Sequence, residues 1–90
     1  VTQIDGIGTT LLLNHINTYP NPFENNIQVQ WDVVEIKEIR VYNMLGALVS
    51  LQIVDGVNNK IINTGNWSNG VYLLQFVTDQ GIASRKLEKF

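Results

Sequence analysis

Between residues 26 and 33 apolar and polar side chains alternate without a break, Ile27, Val29, Trp31 and Val33 against Asn26, Gln28, Gln30 and Asp32. A period of two places every apolar side chain on one face of an extended chain, the pattern of a half-buried β-strand and not of a helix. The signal recurs. Ile39 and Val41 alternate with Arg40 and Tyr42, and further extended runs are expected over 48–54, 57–62, 71–78 and 82–89. Turn chemistry separates these runs. Asn43-Met44-Leu45-Gly46 predicts a tight turn ending at glycine, Asp55-Gly56 a two-residue hairpin between its flanking runs, and Asp79-Gln80-Gly81 a three-residue hairpin. With a short additional strand at Thr18-Tyr19, the expected fold is all-β: a single immunoglobulin-like antiparallel β-sandwich of about seven strands.

Ninety residues allow one domain with one modest core. At 44% hydrophobic and 16% charged the chain is too apolar to stay disordered. A net charge of −2, made of scattered residues of both signs, gives no field that would draw in nucleic acid or an anionic membrane. No apolar run approaches the roughly 18 residues of a transmembrane helix. Residues 1–17 lack the alternation. Val1-Thr2-Gln3-Ile4 reads as the last strand of a preceding domain, and Asp5-Gly6-Ile7-Gly8-Thr9-Thr10 as linker. Leu11 to Ile16 reads as a short segment lying on the sandwich. The division expected is a linker and the tail of a preceding domain over 1–17 and the folded domain over 18–90. With neither an initiator methionine nor a signal peptide, the chain reads as a piece of a longer protein.

Catalytic chemistry is not expected. The single histidine, His15, falls in the linker region, and there is no cysteine. Ser50, Ser68 and Ser84 have no base nearby in sequence. Asp55, Asn58 and Asn59 surround Gly56 but lack the alternating ligands and closing glutamate of a calcium loop. The expectation is a non-enzyme without cofactor or metal. Trp31 and Trp67 leave one alternative open, an accessory carbohydrate-binding or spacer module of a surface enzyme.

Four short segments carry more information. Tyr19-Pro20-Asn21-Pro22-Phe23 sets two prolines two residues apart, removing two backbone donors and fixing φ at both positions. Phe23 is expected in the core, and Tyr72 is expected as a buried ring with a bonded hydroxyl. Arg85, Lys86 and Lys89 are either solvated charges guarding a sheet edge or recognition groups on a strand open to capture. Taken in order, Tyr19 to Phe23, Val41-Tyr42-Asn43-Met44-Leu45-Gly46, Ile62 through Gly70-Val71-Tyr72, and Lys86-Leu87-Glu88-Lys89 resemble the C-terminal sorting domain, type A, of the type IX secretion system of Bacteroidetes. Ala47 departs from the basic residue common after the turn glycine in that family, and Trp67 stands where leucine is usual.

The resemblance implies a sorting motif made of Tyr19, Pro20, Asn21, Pro22, Phe23, Gly46, Gly70, Tyr72, Lys86 and Lys89. It implies a domain that directs its cargo across the outer membrane, through the periplasm and on to the cell surface or the medium. The implied partners are the type IX translocon, its shuttle proteins, and a sortase-like peptidase that cuts upstream and attaches cargo to the surface. Deleting residues 86–90 is then expected to abolish export while the domain stays folded.

Overall fold

The alternation becomes two packed antiparallel sheets. In the computed structural model, which describes residues 9–90, a short helix α1 (Thr9–Leu13) precedes seven strands. These are β1 (Ile16–Tyr19), β2 (Asn26–Trp31), β3 (Ile36–Tyr42), β4 (Leu48–Ile53), β5 (Asn59–Asn63), β6 (Gly70–Thr78) and β7 (Gly81–Lys89). One sheet has the order β1-β2-β5 and the other β4-β3-β6-β7. Every strand pair is antiparallel, giving the all-β sandwich expected. The inward positions supply the core: Ile27 and Val29 of β2, Ile39 and Val41 of β3, Leu74 and Phe76 of β6 are all fully buried. Burying six such side chains stabilises the fold by roughly 1.5–3 kcal/mol each.

Three local expectations need correction. Asp55-Gly56 does not close a hairpin, because β4 pairs with β3 while β5 pairs with β2 in the other sheet. The segment is a crossover, and Val54, buried with its N–H on the Lys37 carbonyl (2.9 Å), anchors its start. Turn-forming residues report that the chain bends, not which strand receives it. The β6–β7 hairpin is real but its loop is Asp79-Gln80 alone, since Thr78 already pairs with Gly81. The alternation in β2 stops at Trp31. Val34 N–H reaches back to the Asp32 carbonyl (2.6 Å) around Val33 at φ 70, so Val33 faces solvent and Val34 is buried in its place.

Packing reaches further back than the boundary drawn at residue 17. Leu12 and Ile16 are each 1% exposed and belong to the core. The reading of residues 1–8 as a cargo strand and linker lies outside the described residues. Arg85, expected as an exposed or recognition charge, instead ties the two sheets together. Its position on β7 is inward, paired with Leu74. Its Nη1 donates to the Ile16 carbonyl (2.9 Å) and to Thr18 Oγ1 (3.3 Å), and its Nη2 to the Leu13 carbonyl (3.2 Å). A planar fork serves these three acceptors at once, which an ammonium cannot. Arg85→Ala is expected to lower unfolding free energy by about 2 kcal/mol, and Arg85→Lys to recover little of it, by urea denaturation.

A second tie joins the far hairpin to the β2–β3 connection. Glu35 N–H donates to Asp79 Oδ1 (2.9 Å) while Asp79 N–H donates to the Glu35 carbonyl (3.0 Å). The first of these bonds holds the Asp79 carboxyl below the ordinary carboxylate range. A lowered folded pKa contributes stability that is present above the unfolded value and is lost as pH falls through the folded one. Asp79→Asn keeps an acceptor for Glu35 but cannot titrate. It is expected to flatten the stability-versus-pH curve on the acid side of the carboxylate range, measured by thermal melts across pH.

Candidate recognition site

All four marker segments meet at one end of the sandwich. β1, β3, β5 and β7 finish there, at Tyr19, Tyr42, Asn63 and Lys89, and β2 and β6 start there, at Asn26 and Gly70. The register fixes this, with Asn26 opposite Asn63, Tyr42 opposite Leu73, and Gly70 opposite Lys89.

After β1 the chain leaves its own sheet and crosses to the outer edge of β7. Phe23 N–H donates to the Glu88 carbonyl (2.8 Å), and Phe90 N–H donates to the Phe23 carbonyl (3.0 Å). These bonds form a parallel bridge, Phe23 to Lys89, between the β1–β2 connection and β7. Asn21 Oδ1 accepts a further edge donor, Glu88 N–H, at 3.2 Å. The Tyr19–Pro20 and Asn21–Pro22 peptide bonds are cis. Neither proline carries an N–H, so the donors offered to the β7 edge are limited by sequence to those of Asn21 and Phe23.

The Phe23 ring then fills the end of the core. It is fully buried, edge-on to Trp67 (centroids 6.0 Å, 88°) and tilted against Tyr72 (6.0 Å), while Trp67 and Tyr72 lie 5.0 Å apart. Centroid spacings of this kind are the favourable range for aromatic pairs. As expected, the Tyr72 ring is buried and its hydroxyl bonded, donating to the Ser68 carbonyl. Thr64, also buried, donates through Oγ1 to the Glu24 carbonyl (2.9 Å) and through N–H to the Asn25 carbonyl (2.9 Å). Two loops distant in sequence are thereby locked together. Gly70 sits at φ 145, a conformation open to glycine and rarely to other residues.

Beside this cluster stands the β3–β4 turn. Asn43 Oδ1 accepts from Leu45 N–H (2.9 Å) and Ala47 N–H (3.0 Å), and Gly46 takes φ 83. The turn is fixed from within, yet it presents Met44 at 72% and Leu45 at 93% exposure. Between the turn and the 64–70 loop runs a groove of about 400 Å³, lined among others by Met44, Leu45, Val49, Trp67 and Val71. Exposed apolar groups on a rigid frame mark an interaction surface more strongly than any single exposed residue does.

The sorting-motif residues thus divide. Asn21, Phe23, Gly70, Tyr72 and Lys89 come together, with Gly46 across the groove; Tyr19, Pro20 and Pro22 are exposed beside them. Lys89 lies only 7% exposed at the inward position opposite Gly70, whereas Lys86 is exposed on the outer face opposite Leu73. Met44 and Leu45 were not singled out from the sequence, although two large apolar residues inside an Asn-to-Gly turn are the signal that marks them. Trp31 and Trp67 make no joint platform: Trp31 is 5% exposed at the opposite end of β2, and Trp67 packs in the aromatic cluster. At that opposite end His15 Nδ1 lies 3.1 Å from Asp32 Oδ1, on the wall of an amide-lined cavity of about 290 Å³.

The fold is an antiparallel β-sandwich whose four markers gather at one end. Residues 17–89 match the family described as the secretion system C-terminal sorting domain, and the chain belongs to that family, the C-terminal sorting signals of type IX secretion. No curated protein matches the chain. No helix among the described residues is long and apolar enough to cross a membrane. If Asn21 closes the β7 edge, Asn21→Ala is expected to cost about 1 kcal/mol and to speed amide exchange at Glu88 more than at Leu74. NMR-detected hydrogen exchange distinguishes this from uniform destabilisation.

Proposed function

We propose that the type IX machinery reads this domain at its marker end, with Met44 and Leu45 making the first apolar contact and the Trp67–Tyr72 wall of the groove receiving the partner. The family match over residues 17–89 carries the export function, and the gathering of the four markers supports the place of reading. In this reading the cargo passes through the periplasm, meets the shuttle and translocon proteins there, and leaves for the cell surface or the medium. A sortase-like peptidase cuts in the glycine-containing segment upstream of Tyr19 and attaches the cargo to the surface. The domain is the substrate of that step and supplies no catalytic group.

The deletion of residues 86–90 suggested by the sequence is a poor test. It would remove Leu87, 2% exposed, from the core, together with the strand end that bridges to Phe23. Surface substitutions avoid this. Residues 1–90, fused behind a signal peptide and a fluorescent reporter, are expected to export in a type IX-competent strain and not in a translocon-deficient one. Met44→Ser with Leu45→Asp is expected to leave the melting temperature within a few degrees and to hold the reporter in the periplasm, because both side chains are exposed. Periplasmic retention of the native fusion in both strains, with the domain folded, would sink the export reading. Native-like export of the double variant would instead move the site of reading elsewhere on the domain.

A further inference from the structure

The outer face of the β1-β2-β5 sheet presents no lysine, arginine, aspartate or glutamate. Its positions form rows across the strands: Asn17, Gln30 and Asn59, then Tyr19, Gln28 and Ile61, then Asn26 and Asn63. The alternate positions Ile16, Ile27, Val29, Trp31 and Ile62 are buried, so these rows point outward. Six of the eight outward side chains are amides. The other sheet differs. Its outer rows include Glu38 and Arg40, opposite Val77 and Gln75, and Lys86 and Glu88, opposite Leu73 and Val71. The chain has 6 basic and 8 acidic residues, and soluble domains ordinarily carry charge on about a quarter to a third of their surface. The uncharged face belongs to one sheet and not to the other.

Strand formation does not explain the amides. Asparagine is depleted in strands, where β-branched and aromatic residues fit the pleated surface better. Nor does the fold engage them all. Asn59 Nδ2 donates to Asn58 Oδ1 (3.1 Å) and Asn63 Oδ1 accepts from Gly65 N–H (3.0 Å). The side chains of Asn17, Asn26, Gln28 and Gln30 make no hydrogen bond to another described residue. The first row runs on into the cavity of about 290 Å³ at the end away from the markers. There Asn14 and Asn58 join it, and His15 lies against the one carboxylate, Asp32. Backbone bonds hold the walls in place: Asp32 N–H donates to the His15 carbonyl (3.1 Å) and Trp31 N–H to the Asn58 carbonyl (3.0 Å). The cavity is therefore formed before any ligand arrives.

We propose that this sheet face, with the cavity at its end, binds a neutral polysaccharide chain. An amide side chain both donates and accepts, as a sugar hydroxyl does, so a row of amides can pair with a row of hydroxyls. A face without charge has no ion to desolvate when it is covered, and no field to draw in an anionic polymer. Gln30, Gln28 and Asn26 stand in line along β2, about 7 Å apart, as alternate residues of one strand do. That line is a track for an extended chain, with the cavity receiving its end. Tyr19, 38% exposed, and Ile61, 61% exposed, flank Gln28 on either side and offer apolar surface to the C–H faces of the sugar rings. The β3–β4 turn that carries Met44 and Leu45 belongs to the other sheet, so the two surfaces are distinct.

The test titrates the purified 90-residue chain with cellohexaose, laminarihexaose and mannohexaose, following the side-chain amide signals by NMR. Saturable shifts at Asn17, Gln28 and Gln30 are expected with at least one of the three. Asn17→Ala with Gln30→Ala removes two adjacent exposed amides. The pair is expected to weaken binding about tenfold or more, with melting unchanged. Gln75→Ala, on the outer face of the other sheet opposite Arg40, is expected to leave the affinity as it is. No shift with any of the three sugars, shifts confined to other parts of the domain, undiminished binding by the double variant, or equal loss with Gln75→Ala would each overturn the proposal. Dextran sulfate bound at this face as tightly as the neutral sugars would also overturn it, by making charge the basis of binding. Shifts of the same signals with protein concentration alone would assign the face to a second copy instead. The readout needs no export machinery, so its failure leaves the export reading untouched.

Discussion

The bridge between Phe23 and the end of β7 is the contact on which the marker end of the molecule rests. Two backbone bonds and one from Asn21 close the end of an edge that would otherwise be open. The same residue drives its ring into the core against Trp67 and Tyr72. Hydrogen bonding and apolar burial thus act through one side of one short segment. Proline on either side of Asn21 suits this segment, because a chain that meets a sheet edge at a single residue has few N–H groups it can satisfy.

Arg85 plays the matching part on the same flank of the sandwich. Its stem runs inward from β7 and its guanidinium satisfies carbonyls of α1 and β1 that no strand partner reaches. Between them, Phe23 and Arg85 tie β7 to the other sheet along its length. The opposite flank, formed by β4 and β5, has no such cross-tie described, and it is there that the exposed aliphatic residues of β4 collect. A closed flank and an open one give the sandwich two surfaces of different chemistry.

The rigidity of the β3–β4 turn bears on recognition in the same way. Asn43 holds the loop with its side chain, so Met44 and Leu45 are presented in a fixed geometry and lose little freedom when covered. Their exposure costs the domain solubility, which is a reason to read them as contact residues. The aromatic wall behind them is fixed as well, by the Tyr72 hydroxyl on Ser68 and by Thr64 on Glu24.

Much of the fold was legible in the residues themselves. The period-two runs gave the strands and their inward faces, because alternation in an extended chain decides which side chains can be buried together. Phe23 and Tyr72 were recognisable as core residues by their size and setting. What local chemistry could not decide was partnership. Asp55-Gly56 bends the chain whether the next strand returns to its neighbour or crosses to the other sheet, and only the completed β3–β4 and β2–β5 pairings settle which. Arg85 and Lys89 read as surface charges because a basic run is usually solvated; their inward positions follow from the register of β7 on β6. Leu12 and Ile16 read as part of a segment lying on the sandwich, outside the folded domain, because their full burial depends on strands far along the chain. The sequence by itself determined strand content, the inward face of the regular runs and the order of the markers, all of which follow from neighbours in the chain. Tertiary structure alone decided that those markers share one end, since that depends on contacts between residues as distant as Phe23 and Lys89.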